Sequence, residues 1–398
     1  MISKAAPISK KPKALFYVQH LLGIGHLKRA ATLSRAMEAA GFDVTIVSGG
    51  KNVPGVNIGA ADFIQLPAMR SKDEHFSVML DDNDQPVDDA LRSTRRDMLL
   101  KAVSTLKPSL VLTELFPFGR RHLRGEIIPM IEAARDLSPA PKIVCSVRDI
   151  LVEPNKKERG PEMVAIVERY YDHVLVHGDP NLVPFEKTFP LADQIADHLS
   201  YTGYIVDPPP SAVVGGDSAG ANEVIVSAGG GALSEPLFSA AIDARPKTVF
   251  ANNVWRLLAG PSLPPDAYDR LRSKITDGII LERARPDFTT LLANCALSVS
   301  QGGYNTVMDV LAAKVRAVIA PYAGGKETEQ TLRARLLSEK STLQVVWEED
   351  LSTDSLTIAV NAAAAQSKPS SDGIATNGAI GSAAILANII GHESRVTS

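Results

Sequence analysis

ALFYVQHLLGIGHLKRAATLSRAMEAAGFDVTIVSG, residues 14–49, decides the fold. ALFYVQ (14–19) and DVTIVSG (43–49) are almost continuously apolar, as parallel strands covered on both faces must be. Between them, LKRAATLSRAMEAAG (27–41) has apolar residues at helical spacing and a closing Gly41. Strand, helix and strand make a βαβ unit, which predicts a doubly wound α/β sheet.

The alternation continues outward from this unit. DFIQL (62–66), LVLTEL (110–115), KIVCSV (142–147) and HVLVHG (173–178) read as further strands of a first domain, 1–206. Asp207-Pro208-Pro209-Pro210 and the Gly/Ser-rich stretch after it then break the pattern, predicting a linker over 207–222. Strand readings resume with EVIVSAGGG (223–231), KTVFANN (247–253), GIILER (278–283), CALSVSQGG (295–303) and RAVIAPY (316–322). These define a second domain, 223–376. A loop-like SKPSSDGIATNG and a short helix over AIGSAAILANIIG close the chain, the segment 377–398 being expected to pack back toward the first domain.

A length of 398 residues suits two domains. The formal net charge of -3 gives no general attraction to nucleic acid, and the basic run Arg120-Arg121-His122-Leu123-Arg124 reads as a solvated loop or helix face. Cys145 and Cys295, each inside an apolar run, read as small buried hydrophobes, neither disulfide nor metal ligands. With no signal-peptide pattern and no bilayer-length apolar segment, a cytoplasmic protein is expected, with peripheral membrane contact left open.

Ligands of open α/β sheets bind beyond the carboxyl ends of the strands. Three Gly-rich junctions stand there: Gly23-Ile24-Gly25-His26, Gly229-Gly230-Gly231, and Ser300-Gln301-Gly302-Gly303-Tyr304-Asn305-Thr306. Each lets backbone approach a ligand, and the helix that follows offers N–H groups to an anion. The first is not a complete dinucleotide fingerprint, because no third glycine follows Gly25 at the required spacing, and no phosphate-cradling G-x-x-x-x-G-K-[ST] loop occurs. His26, at a strand-to-helix turn, is the candidate general base. Glu114, Arg148, Asp149, His177 and Asp179 are strand-end candidates for acceptor contacts, and Asp81-Asp82-Asn83-Asp84 reads as a solvated loop.

Gly23-Ile24-Gly25-His26 and its helix resemble the opening of GT-B glycosyltransferases of the MurG-like, family 28-type class. LLANCALSVSQGGYNTVMDVLAAKVRAVIAPYAGGKETEQTLRARLL is similar to the donor-binding region of that class, and VIVSAGGGALSE to the loop opening its second domain. The resemblance implies two Rossmann-like domains facing a central cleft, and transfer of a sugar from a nucleoside-diphosphate sugar, uridine being the usual base, to a glycan, lipid or small-molecule hydroxyl. It implies inversion and no metal or other cofactor. By the same resemblance His26 is the catalytic histidine and Gly23 and Gly25 lie on the acceptor side, where the strand-end rule also puts Glu114 and Arg148. Gly229, Gly230, Gly231, Gly302, Gly303, Asn305 and Thr306 face the diphosphate, Asp309 the ribose, Glu329 and Gln330 the donor sugar, and Leu281 to Arg283 the base. Glu is commoner than Asp at the ribose position, so Asp309 is a shorter arm. A UDP-sugar hydrolase sharing the G-x-G-H-x-x-R start and a non-catalytic nucleotide-sugar-binding subunit are the alternatives.

Overall fold

The computed structural model describes residues 11–21, 23–72, 78–151, 158–207, 219–228, 234–260, 263–324, 328–340, 342–369 and 373–392. The chain forms two compact units, one of 1–179, 185–205 and 377–398, the other of 180–184 and 206–376. Most of the expected linker, 208–218, lies outside the described residues.

In the first unit the elements run β1 (Lys13–Val18), α1 (Gly25–Ala39), β2 (Asp43–Ser48), β3 (Asp62–Gln65), the short β4 (Arg70–Ser71) and β5 (Met79–Leu80), and α2 (Asp89–Leu106). They continue with β6 (Leu110–Glu114), α3 (Arg124–Arg135), β7 (Lys142–Arg148), α4 (Arg159–Tyr170), β8 (His173–His177) and β9 (Leu199–Tyr201). Seven parallel strands lie in the order β3-β2-β1-β6-β7-β8-β9. The βαβ reading of 14–49 is thus the core of this sheet. Alternation along each strand divides the interior: Leu15 and Tyr17 point into a core lined by α2 and α3, while Ala14, Phe16 and Val18 point into one lined by α1. The end of α1 shows how locally this is encoded. Gly41 takes φ +99°, letting its N–H reach the Glu38 carbonyl and that of Phe42 reach Met37, a paired closure that a side chain at 41 would strain.

The second unit contains β10 (Val224–Ser227), α5 (Ser234–Ala244), β11 (Trp255–Ala259), α6 (Pro265–Arg272), β12 (Ile279–Arg283), α7 (Phe288–Asn294), β13 (Leu297–Gln301) and α8 (Tyr304–Ala313). After them come β14 (Ala317–Ala320), α9 (Glu329–Glu339), β15 (Gln344–Val345) and α10 (Thr353–Ala365). Its six parallel strands are ordered β12-β11-β10-β13-β14-β15. Both sheets therefore follow the 3-2-1-4-5-6 winding, which reverses direction beside the first strand.

KTVFANN is not a strand. Residues 245–247 form a 3-10 turn, Val249 is exposed, and turns continue to Asn253, whose carbonyl receives the Arg245 Nε–H. The strand is WRLLA, anchored by fully buried Trp255, whose indole N–H donates to the Phe250 carbonyl at 3.1 Å. Arg256 interrupts its apolar pattern and is accommodated by a two-pronged bond to Glu223, at 2.6 and 2.7 Å, and a third to Glu282 at 2.8 Å.

The final helix, α11 (Gly378–Ile389), belongs to the first unit. Ala379, Ala383, Leu386 and Ala387 recur at helical spacing and enter the same core as Leu27, Ala30 and Leu33 of α1. The approach is close: a Cβ on Gly381 would stand 2.7 Å from the Thr202 carbonyl oxygen. The Gly378 N–H donates to the Tyr204 carbonyl.

Candidate functional site

In the first unit the winding reverses between β1 and β6. The loop after β1 leads to His26, the second residue of α1, and β6 ends on Glu114, so the two residues meet across the switch point. His26 Nδ1 lies 2.9 Å from Glu114 Oε1, and the Arg29 guanidinium, one helical turn on, donates to that same oxygen. Ser146, paired with Glu114 on the next strand, donates its hydroxyl to Glu114 Oε2 at 2.6 Å. Ser146 Oγ also lies 2.8 Å from His177 Nε2, and His177 Nδ1 lies 2.9 Å from Thr202 Oγ1.

The electrostatics follow from burial. Glu114 is 1% exposed, and burial alone would raise its pKa. The charge of Arg29 and the His26 hydrogen bond outweigh that and hold the carboxyl well below the usual carboxylate range. An ionised carboxylate only accepts, so the 2.9 Å contact requires the proton of neutral His26 on Nδ1. Nε2 is left with its lone pair. Burial, helped by the charges of Arg120 and Arg29 and opposed by Glu114, pushes the His26 pKa down to about 3. The side chain is still 15% exposed, so the ring is neutral and reachable.

The segment after Glu114 fixes its position. Leu115 and Arg120 have φ of +70° and +59°, conformations that non-glycine residues adopt only under tertiary constraint. Phe116 and Phe118 are buried between them, Phe118 stacking edge-on against Phe185 and Phe189. Arg120 is not the solvated residue expected from its sequence neighbourhood: half-buried, it donates to the Gln19 carbonyl at the end of β1. Arg121 and Arg124 do lie at the surface, both paired with Glu162. Gly23 is exposed, Gly25 begins α1, and half-buried Arg148 ends β7 in register with His177. Asp149 is fully buried and receives the Tyr204 hydroxyl. Asp84 is exposed and pairs with Arg70, so the acidic run is a surface turn.

In the second unit the winding reverses between β10 and β13. Gly229, Gly230 and Gly231, after β10, lie outside the described residues. After β13, Gly302 is buried against the end of β14 and the start of α9. A Cβ there would come within 3.2 Å of Pro321 Cα and 3.3 Å of Gln330 Cβ. Gly303 is the N-cap of α8, and the first turn, Tyr304, Asn305 and Thr306, contains no acid. That end presents backbone N–H groups and the positive pole of the helix. Asp309 is half-buried one turn after Asn305 on the same helical face.

The acidic–Gln pair is built into this corner. Gln330 Oε1 accepts the Tyr322 N–H at 3.2 Å, and Glu329 accepts from Arg333 at 3.0 Å. Arg333 is fully buried, its guanidinium 4.8 Å from the centre of the Tyr304 ring. Gly302, Tyr304, Glu329, Gln330 and Arg333 are thus brought together. At the end of β12 the Leu281 carbonyl receives the Tyr268 hydroxyl, and Arg283 donates to the carbonyls of Gly260 and Leu263 while lying over the Tyr268 ring. These contacts give Leu281 and Arg283 a visible role in bracing the loop after β11.

Sequence reasoning marked His26, Glu114 and His177 but missed Ser146 and Thr202. Their signal is faint: a serine inside the apolar KIVCSV strand is a buried hydroxyl in need of a partner.

Comparisons with known proteins bear on the fold and on part of the second unit. Residues 269–379, which include α8 and α9, match the Glycosyltransferase family 28 C-terminal domain. No curated protein matches the chain. Among solved structures, the calicheamicin glycosyltransferase CalG4 is similar at 15% identity and TM-score 0.57, over 96% of each chain. MurG of Acinetobacter baumannii is similar at 14% identity and TM-score 0.55, over 95% of this chain and 100% of that one. A Listeria monocytogenes protein described as a UDP-N-acetylglucosamine 2-epimerase is similar at 13% identity and TM-score 0.60, over 96% of each chain. At such identities the likeness establishes the fold, which several chemistries share. In fold the chain is thus similar to GT-B glycosyltransferases, MurG among them, and over residues 269–379 it is similar to glycosyltransferase family 28. More particularly, the matched stretch begins within α6 and takes in β12 to α10.

Proposed function

We propose that this chain transfers a sugar from a nucleoside-diphosphate sugar, with uridine as the base, to an acceptor hydroxyl, and that His26 is the general base. The observation that carries this reading is the His26 Nδ1 to Glu114 Oε1 contact of 2.9 Å, which leaves Nε2 ready to take a proton. The acceptor O–H gives its proton to Nε2, the oxygen forms a bond to the anomeric carbon, and the bond to the diphosphate breaks. Direct displacement from the opposite face inverts that carbon. The departing diphosphate gains charge, which the acid-free N-terminus of α8 stabilises without a metal ion in this scheme. Glu114 steadies the imidazolium that forms, as a carboxylate partner does in other base-assisted transfers.

The acceptor is a glycan, a lipid or a small molecule bearing a hydroxyl. Among the described residues no helix is long and apolar enough to cross a membrane. We place the protein in the cytoplasm, with room for contact at a membrane surface.

The test incubates the purified chain with UDP-sugars and GDP-sugars, with and without candidate acceptors, in the presence and absence of EDTA. Acceptor-dependent UDP release that survives EDTA and is lost in His26→Ala supports the reading. UDP release at the same rate without acceptor makes the chain a hydrolase, and a change of the sugar with no UDP release makes it an epimerase.

A further inference from the structure

We propose that Ser146 and His177 are positioning residues: a buried hydrogen-bonded chain running from Thr202 through His177 and Ser146 to Glu114 fixes the carboxylate that in turn sets the tautomer of His26. This deepens the assignment of His26 and Glu114 and rests on it for its catalytic meaning, though not for its structural content.

The direction of the bonds from Glu114 to His177 can be derived from one starting point. Glu114 is ionised and has nothing to donate. The Ser146 hydroxyl, 2.6 Å from Oε2, must therefore point its hydrogen at the carboxylate. Having spent that hydrogen, Ser146 Oγ can only accept from His177 Nε2 at 2.8 Å, so His177 carries its proton on Nε2. Burial, with the charge of Arg29, pushes the His177 pKa down to about 3, so its Nδ1 has no proton and is an acceptor. It faces the Thr202 hydroxyl at 2.9 Å, which also lies 2.8 Å from the Gly203 carbonyl. The two histidines thus hold opposite tautomers, His26 with its proton on Nδ1 and His177 on Nε2.

All four members are buried, Ser146 and His177 completely, so no water competes for these bonds. The two carboxylate oxygens are divided between two duties. Oε1 faces His26 and Arg29, Oε2 faces Ser146, and the carboxyl plane cannot turn without breaking one set. Thr202 is held from the other side by α11, whose Gly378 and Gly381 approach the 202–204 backbone too closely for side chains. Charged groups around the carboxylate are Arg29 from α1 and Arg120 from the segment after β6, with Arg148 of β7 acting on Arg120. Arg29 holds Oε1, and Ser146 alone of the printed partners holds Oε2.

The test is nitrogen-15 NMR of the full-length chain with labelled histidine rings at neutral pH, the two signals being assigned by His26→Gln and His177→Gln. Wild type is expected to show His26 protonated on Nδ1 and His177 on Nε2. In Ser146→Ala and His177→Leu the His26 signals should move toward the ordinary mixture, in which the Nε2 tautomer predominates. His177→Gln, which keeps an N–H for Ser146 and a carbonyl for Thr202, should leave His26 as in wild type. Thermal unfolding run in parallel identifies any variant that fails to fold, and Ser146→Cys, near-isosteric with only a weak S–H donor, then replaces Ser146→Ala. An unchanged His26 tautomer in folded Ser146→Ala and His177→Leu would overturn the proposal. Loss of turnover is a separate readout: if His26→Ala remains active, the base assignment fails while the ring signals still decide whether the chain positions the carboxylate.

Discussion

His26 and Glu114 differ from exposed residues of the same kind because each is defined by the other. Burial alone would raise the pKa of the carboxyl, and Arg29 prevents it; burial lowers that of the imidazole, and Glu114 only partly compensates. The consequence is visible in pH dependence. A base works only when unprotonated, so activity falls as pH drops through its pKa. With that value near 3, the acid limb of kcat/KM should lie well below the ordinary histidine value of about 6.5. A profile measured from pH 4 to 8 should keep most activity at pH 5; a half-maximal point at 6 to 7 would count against the arrangement. His26→Ala should lower kcat by roughly a hundred- to ten-thousand-fold with donor binding preserved, the range general-base loss produces.

At the scale of elements, α8 is the helix whose N-terminus the proposed mechanism sets against the diphosphate. Its N-cap is glycine and its first turn has no acid, so its N-terminal charge is uncancelled by its own side chains. Asn305→Asp would place a negative charge where a diphosphate is expected and should weaken UDP binding several-fold, read by calorimetry, while helix stability is kept or slightly raised. Gly302→Ala acts differently. The new Cβ meets Pro321 and Gln330 at 3.2 to 3.3 Å, so the corner between β14 and α9 must shift, at about 1–3 kcal/mol. A lowered Tm together with weakened UDP binding is expected; a variant with both unchanged would mean the corner yields freely.

For the molecule as a whole, two features of the first unit follow from long-range packing. Its core is closed by α11, the last helix of the sequence, which brings Ala379, Ala383, Leu386 and Ala387 to α1. Ending the chain at residue 376 would expose that face, and Leu386 alone contributes about 1.5–3 kcal/mol. Such a truncation should lower the Tm of the first unit and increase binding of a hydrophobic dye. Stability should also depend on pH in a defined window. His26 and His177 have folded pKa values near 3 and unfolded values of about 6.5. Above pH 6.5 both states are neutral and stability is flat. As pH falls from 6.5 toward 3, the unfolded chain takes up protons that the folded chain refuses, and stability drops by about 1.4 kcal/mol per pH unit for each histidine. Urea unfolding between pH 4 and 7 measures this slope, and His177→Gln should reduce it by one histidine's share.

The sequence alone determined the βαβ opening, the two α/β units and the glycine-rich turn at Gly302 that opens α8. Those features depend on short-range patterns: apolar periodicity, a glycine that closes a helix, and spacing within one strand–turn–helix. It failed at KTVFANN, where an apolar run was mistaken for a strand, and at β11, where Arg256 hid one, because its partners Glu223 and Glu282 come from elsewhere in the chain. It also read Arg120 as solvated, since nothing nearby announces that Gln19, a hundred residues earlier, will receive it. Tertiary structure alone decided what surrounds His26. Glu114, Ser146, His177 and Thr202 come from separate strands and loops, and α11 reaches Thr202 from the end of the chain. Buried polar atoms must find partners wherever the sheet register brings them, and that register is set by the packing of the whole unit, not by any one segment.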